Sequence, residues 1–446
     1  MVLGGLVALS LLVCFQWMWQ TDVEIMEGHD KRTKEMLPDR TSPQQNGSAS
    51  GAEAMELRHG MQSLAVAART VPPPLAAAPP LAAAPPFSQF PLTPEDLARL
   101  QGTWVSSERS KPRDVARGRD RSVSYPFVTG DGFRGMCKHR CEDDALPDKC
   151  NFKGAEVEAG DCIYVACFNF ERMQVTTEYL AAYRRVSGRI RSPHVVISHN
   201  GDLSAPDGDG WHKDAAGQQL PSMPEPEQYS DLLALPSLTA WFASNCHWQG
   251  GGPKPEKLHC IPVGVENRYN AVGRSPAEYF QWMQRRSTVR PTKLLFAGFR
   301  AAANKPLRDA AVQALEALDG SWVTKVEHSV EQPGPLSRRD DFVRALQEHH
   351  FAACPPGHGY DTHRLWETLM MGVFPVVISG PMDEMYRELP VVVVKAWTEV
   401  TRDFLERTLV QLHGRRSWRA DKMFHFFWRN LISNVSRGVA QAARDG

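Results

Sequence analysis

From Asp161 onward the chain alternates short apolar runs with longer amphipathic stretches, and that alternation constrains the fold more than any other feature. "CIYVACF" (162–168) and "HVVIS" (194–198) have the β-branched and aromatic content of strands, and "TEYLAAYRRVSGRI" between them has helical spacing. "YSDLLALPSLTAWFAS" (229–244) is expected to be a helix broken at Pro236. "LHCIPVGV" is expected as a strand and "SPAEYFQWMQRR" as a helix. "STVRPT" (287–292) reads as a hinge, after which the pattern restarts. "KLLFAGF", "HFAACPP", "FPVVIS" and "LPVVVVKA" are the strands of this second half, and "NKPLRDAAVQALEAL" and "RRDDFVRALQEH" are helices. The tail, "TRDFLERTLVQL" and "KMFHFFWRNLISNV", is helical in spacing. Strands alternating with helices build parallel sheets covered on both faces. Two such units joined near residue 290 predict an α/β protein with two Rossmann-like domains, 93–290 and 291–446, facing a cleft. Ligands of such sheets bind at the carboxyl ends of the strands.

The first quarter is different. Met1 to Trp19 carries no charged side chain and is long enough to cross a hydrocarbon core, which takes roughly 20 residues. Trp17 and Trp19 suit a membrane interface. A cleaved signal peptide is the alternative, although a basic n-region is missing. Either way the chain is expected in the secretory pathway, as a Golgi-type single-pass protein with its bulk lumenal, or else secreted or in the ER lumen. Residues 20–92 read as a stalk. "TSPQQNGSASG" is small and polar, and "VPPPLAAAPPLAAAPPF" is held extended by proline, so neither can bury a core. Thr93-Pro94 then supplies an N-cap and a first-turn proline, where the folded part begins. With 51 basic and 51 acidic residues, no overall field draws in nucleic acid.

Of nine cysteines, Cys14 lies in the apolar run, and five crowd at 137, 141, 150, 162 and 167. His139 between Cys137 and Cys141 raises a zinc site, but no Cys-x-x-Cys pair exists and an oxidising compartment favours disulfides. Sequons at Asn46 and Asn434 fit the same compartment.

One stretch carries chemistry: "CPPGHGYDTHRLWETLMMGVFPVVIS", Cys354 to Ser379. Pro355, Pro356 and Gly357 end a strand, and Gly359 permits close backbone approach where a Cβ collides. Asp361 or Thr362 is placed to cap the helix that follows. His363 and Arg364 then fall in its first turn, where a cation costs a few tenths of a kcal/mol unless an anion arrives. A diphosphate reverses that sign, because helix N–H groups and an arginine fork both bind it. Glu367, one turn on, suits two vicinal ribose hydroxyls. The structural alternative is a solvated helix start with an Arg–Glu pair worth about 0.2–0.5 kcal/mol.

This stretch resembles the donor-site motif of exostosin-like glycosyltransferases, family 47 in the broad sense. "VVISHNGD" (195–202), "WFASNCHWQGGGPKPEKLHCIPVGVENR" (241–268) and "KLLFAGFRAAANKPLR" (293–308) match it in order, so the resemblance spans about 160–400. Thr368 stands where that pattern has alanine. The resemblance implies a GT-B fold, a nucleotide-sugar donor (a UDP-sugar by expectation), a glycan or glycoprotein acceptor and an inverting displacement. A partner glycosyltransferase is also an expectation. It implies that Arg364 meets the diphosphate and Glu367 the ribose or base-sugar portion, with Gly298 and Arg308 on the opposite wall and Gly357 and Gly359 exposing amides to phosphate. A base must come from the first half, and His199 and Asp202 of "SHNGD" are the candidates by position.

Two rival classes stay open. One is a catalytically silent glycan-binding protein of the same fold. The other is a manganese-dependent GT-A transferase using Asp207 and Asp209 of "PDGDG", although an Asp-Gly turn is the plainer account. A GT-B site neutralises the leaving diphosphate with arginine and a helix N-terminus, so no metal or other cofactor is expected. "CHWQGGGPKPEK" has the composition of a mobile lid.

Overall fold

In the second half, five parallel strands lie in the order β7-β6-β8-β9-β10, where β6 is Lys293–Ala297, β7 Val323–Lys325, β8 His349–Ala353, β9 Phe374–Ile378 and β10 Val392–Val394. The chain moves from β6 to one side, then returns across β6 to build the other. The gap between β6 and β8 is therefore a topological switch point, with a crevice at the carboxyl ends of the two strands.

The computed structural model describes residues 92–93, 95–98, 126–146, 148–169, 174–202, 205–206, 229–248, 252–265, 276–299, 305–326, 339–415 and 418–445. The apolar start, the stalk up to residue 91, Asn46, Asp207, Asp209 and 249–251 of the glycine-rich loop lie outside them. By contacts the chain divides at Val71, and all described residues belong to the unit Pro72–Gly446.

The first half holds a second five-stranded parallel sheet, its strands in chain order: β1 His139–Cys141, β2 Cys162–Ala166, β3 His194–His199, β4 Leu238–Ala243 and β5 Leu258–Cys260. β2, β3 and β4 are buried along almost their whole length. That explains their unbroken apolar runs, since both sheet faces are covered. β4 corrects the sequence expectation. Helix is limited to a 3-10 turn at Ser230–Ala234, and the residues after Pro236 form a central strand. "LTAWFA" is apolar without helical periodicity, as a doubly covered strand should be.

Six of the clustered and later cysteines pair, as Cys137–Cys162, Cys141–Cys150 and Cys246–Cys260, while Cys167 and Cys354 are buried thiols. Cys141–Cys150 anchors the end of β1, a three-residue edge strand, to the segment after it, and Cys137–Cys162 ties the residues just before β1 to the start of β2. Cys137 and Cys141 are thus removed from any zinc site, and His139 Nε2 instead meets Asp161 Oδ2 at 2.8 Å. No group of metal ligands occurs among the described residues. No described helix is long and apolar enough to cross a membrane.

The two halves share one apolar core. Helix α3 (Pro276–Thr288; α1 is Gly130–Arg134 and α2 Glu178–Ser187) buries Tyr279 and Phe280 against Phe127, with ring centroids 4.9 and 5.3 Å apart. Phe127 also pairs with Phe424, and His425 N donates to Pro126 O, so the chain's end returns to the first half. The final helix, His425–Asp445, buries Trp428, Ile432 and Val439 there and carries the Asn434 sequon. Thr93 Oγ1 accepts from Asp96 N at 3.1 Å, the N-cap bond of a short helix over 95–98.

Candidate functional site

The crevice between β6 and β8 is bounded by Gly298 on one side and by Cys354–Gly357 on the other. Helix α6, His363–Met370, starts directly above it (α4 is Lys305–Glu316 and α5 Arg339–Gln347). Four of the donor residues named from the sequence meet here. Arg364 Nη1 donates to the Gly298 carbonyl, and its guanidinium lies over the Phe342 ring at 4.5 Å. Arg308 Nε donates to the Pro356 carbonyl at 2.8 Å. Burial, together with the charge of Arg364, lowers the Arg308 pKa to about 10. Two cations are thus held together at the sheet edge, where charge is poorly solvated. Beneath them, burial pushes the Cys354 thiol up to about 11, and its sulfur lies 3.5 Å from Thr368 Oγ1. Glu367 is buried in the same group and its charge acts on Cys354.

The helix start differs from the sequence expectation. Thr362 is the N-cap residue, in extended conformation, but its side chain makes no capping bond. Asp361 does not cap α6 through the N–H groups of its first turn either. Its carboxylate is buried and accepts from four donors: Val263 N and Trp366 Nε1 on Oδ2, both at 2.7 Å, and Thr362 N and Tyr386 OH on Oδ1. Burial outweighs these bonds and raises its pKa to about 6. His363 Nδ1 bonds the Gly264 carbonyl at 2.7 Å, which puts the proton on that nitrogen. Gly264 must be glycine, because its φ is +72° and a Cβ would stand 2.1 Å from Val128 O. Thus His363 and Asp361 tie the start of α6 to the 261–265 segment of the first half.

The two motif glycines part company. A Cβ on Gly357 would meet only Arg308 Nη2, at 3.4 Å, and Thr362 at 3.8 Å, which are ordinary contacts. A Cβ on Gly359 would strike the Asn245 side chain, at 2.5 Å from Nδ2 and 2.7 Å from Oδ1. Asn245 follows β4, is fully buried, and has φ +49°. Its Nδ2 donates to Gly201 O at 3.0 Å, and its Oδ1 accepts from Asp361 N at 2.8 Å. Neighbouring His247 adds a ring contact with Tyr360 at 5.1 Å. The sequence pointed to neither Asn245 nor the junction role of Asp361. The only signal was that Asn245 falls inside a stretch matched to the family pattern.

Gly201 belongs to the loop that follows β3, between His199, the last residue of that strand, and Asp202. His199 is buried, its Nε2 donating to Pro262 O at 2.9 Å and its Nδ1 accepting from Asn200 N at 2.6 Å. Both ring nitrogens serve the main chain, so this geometry does not favour His199 as a base. Asp202 is half-buried beyond the strand end. The segment that carries the base candidates and the segment that leads into α6 are thus joined through Asn245, across the carboxyl edges of both sheets. The two ends of "CHWQGGGPKPEKLHC" are fixed by the Cys246–Cys260 bridge.

No protein-family model matches the sequence, and the search of curated proteins returns no match. Among solved structures the chain is similar to one in the crystal structure of the GtfA/B complex, at a TM-score of 0.29 and 11% identity. The likeness covers 66% of this chain and 62% of that one, so the chain spans less than two thirds of its neighbour's length.

Proposed function

We propose that this protein transfers a sugar from a nucleotide-sugar donor, in the first instance a UDP-sugar, to a glycan or glycoprotein acceptor. The observation that carries the proposal is the convergence of Arg364, Arg308, Gly298 and the start of α6 at the switch point between β6 and β8. Such a crevice is where open parallel sheets bind ligands. Two guanidiniums beside an uncapped helix start favour a diphosphate, whose charge would relieve their mutual repulsion. Glu367 is assigned to the ribose or base-sugar portion. In the reaction the acceptor oxygen attacks the anomeric carbon, and the bond from that carbon to the diphosphate oxygen breaks. The electron pair leaves on the diphosphate, stabilised by the arginines, and the acceptor proton passes to Asp202. The configuration inverts in this single displacement. The three disulfides favour an oxidising, lumenal site of action. A membrane anchor at Met1–Trp19 and residence in the Golgi belong to the same proposal.

The test is calorimetric titration of the full-length protein with UDP and GDP, followed by turnover of a panel of UDP- and GDP-sugars with and without EDTA. Nucleotide binding with EDTA-resistant turnover is expected. If neither nucleotide binds, the proposal fails. Turnover abolished by EDTA and restored by manganese favours the Asp207/Asp209 mechanism instead. Binding with no turnover favours the glycan-binding alternative.

A further inference from the structure

Asn245 stands outside the donor motif, yet each polar atom of its side chain joins one loop to another. Nδ2 holds Gly201 O, one residue before Asp202, and Oδ1 holds Asp361 N, three residues before Arg364. The side chain is fully buried, and the adjacent Cys246 is locked to Cys260, so it has little freedom to yield. Gly359 leaves room for it on one side. On the other side of the same junction, the Asp361 carboxylate accepts from Val263 N, and His363 Nδ1 donates to Gly264 O.

Resting on the donor assignment and on Asp202 as the base, both proposed above, we infer that Asn245 is a positioning residue that fixes the Asp202 loop relative to the start of α6, and so sets the rate of transfer and not the affinity for donor. It contacts neither the arginines nor Glu367 by any hydrogen bond described above. Removing it should leave the diphosphate's ligands in place while loosening the base against the anomeric carbon. Misplacement by about 1 Å can cost on the order of 100-fold in rate.

The experiment compares parent, Asn245→Gly and Asn245→Asp in the full-length protein. Glycine accepts the positive φ, and aspartate keeps an acceptor for Asp361 N while losing the donor to Gly201 O. UDP affinity is read by calorimetry, and kcat by hydrolysis of whichever UDP-sugar the parent turns over, with water as acceptor. Expected is a UDP Kd within about 3-fold of the parent, together with a kcat lowered by roughly 10–100-fold in both variants. Hydrogen exchange should rise together at 200–202 and 359–361. If kcat holds within about 3-fold while the melting temperature drops, Asn245 is only structural and the inference is overturned. If Kd and kcat worsen equally, Asn245 belongs to the donor site and the inference is again overturned. A parent that binds UDP without turnover, or does not bind it, sinks the transferase proposal and the positioning role with it.

Discussion

Replacing Gly359 by alanine tests why the motif needs glycine there. Its φ lies outside the left-handed region, so alanine's backbone is acceptable and only space is at issue. The new methyl would stand 2.5–2.8 Å from three atoms of Asn245, a side chain held by two buried or partly buried hydrogen bonds. To make room, Asn245 must give up both. Each lost bond costs about 0.5–1.5 kcal/mol net, and more where a partner is stranded, so Gly359→Ala should destabilise by about 2–4 kcal/mol. Asn245→Gly loses the same two bonds and should cost about the same. The double variant has space for the methyl and nothing further to lose, so its cost should match Asn245→Gly alone. The coupling is then about 2–4 kcal/mol in favour of the pair, against a scatter of about 0.5 kcal/mol for independent sites. Urea midpoints and slopes for the four proteins measure it. Gly357→Ala is the internal control, expected within about 0.5 kcal/mol of the parent because its methyl makes only ordinary contacts. Additive losses at 245 and 359 would refute the steric argument and return Gly359 to the role suggested by sequence, room for a ligand.

Arg364→Ala should weaken UDP binding by about 1.5–3 kcal/mol, the worth of a charge-assisted contact. It should also cost about 1–2 kcal/mol of stability by calorimetric melting, since the side chain holds Gly298 O and covers Phe342. Glu367→Gln should lower donor affinity with melting close to the parent, and unfolding of both variants would mean that the pair is structural. The Asp361 carboxyl titrates near 6 in the fold against 3.8 when free, so the folded state binds its proton more tightly. Its contribution is fully present below pH ~4 and is lost as pH rises through about 6, by up to roughly 3 kcal/mol. Parent stability should therefore fall more between pH 4 and 7 than that of Asp361→Asn, and parallel urea-midpoint profiles would count against this. Cys246→Ser with Cys260→Ser opens a bridge of sequence separation 14 and should cost about 3 kcal/mol in urea unfolding. An unchanged midpoint would show that the bridge is not needed to order the loop.

Much of the fold was legible because covered parallel strands leave an unmistakable trace. β2, β3, β5, β6, β8, β9 and β10 all fall on runs named as strands from the sequence. β1 and β7 were not seen, because their three residues, HRC and VTK, form no apolar run, unlike the VVV of the equally short edge strand β10. β4 was taken for helix because a proline inside an apolar run looks like a helix break, whereas here it separates a 3-10 turn from a strand. Strand order was invisible altogether, and with it the switch point that brings Gly298 to Arg364.

The site was legible where its parts lie on one turn of chain and illegible where they do not. Arg364 and Glu367 lie one turn apart at a helix start announced by the preceding Pro/Gly run, so the sequence named both. Asn245 reaches partners 44 and 116 residues away, and Asp361 reaches Val263 across 98. A sequence reports which conformations a residue permits, not which neighbour it meets, and so Gly359 suggested room for a ligand and gave no sign of the Asn245 amide seated against it. The placement of these residues has its own logic. The shared apolar core can hold the two halves together, but dispersion contacts tolerate sliding and do not set direction. Directional bonds do: one set ties α3 to the second half, with Trp282 Nε1 and Arg285 Nη1 on Asp340 and Arg286 Nε on Gly372 O, and another gathers Asn245, Gly264, Asp361 and His363 at the carboxyl edges of the sheets. A buried carboxylate there is costly to ionise, as its raised pKa shows, and its four donors are what make that cost bearable. If registration of the Asp202 loop against α6 were unimportant, an apolar pair of similar volume would serve the core as well.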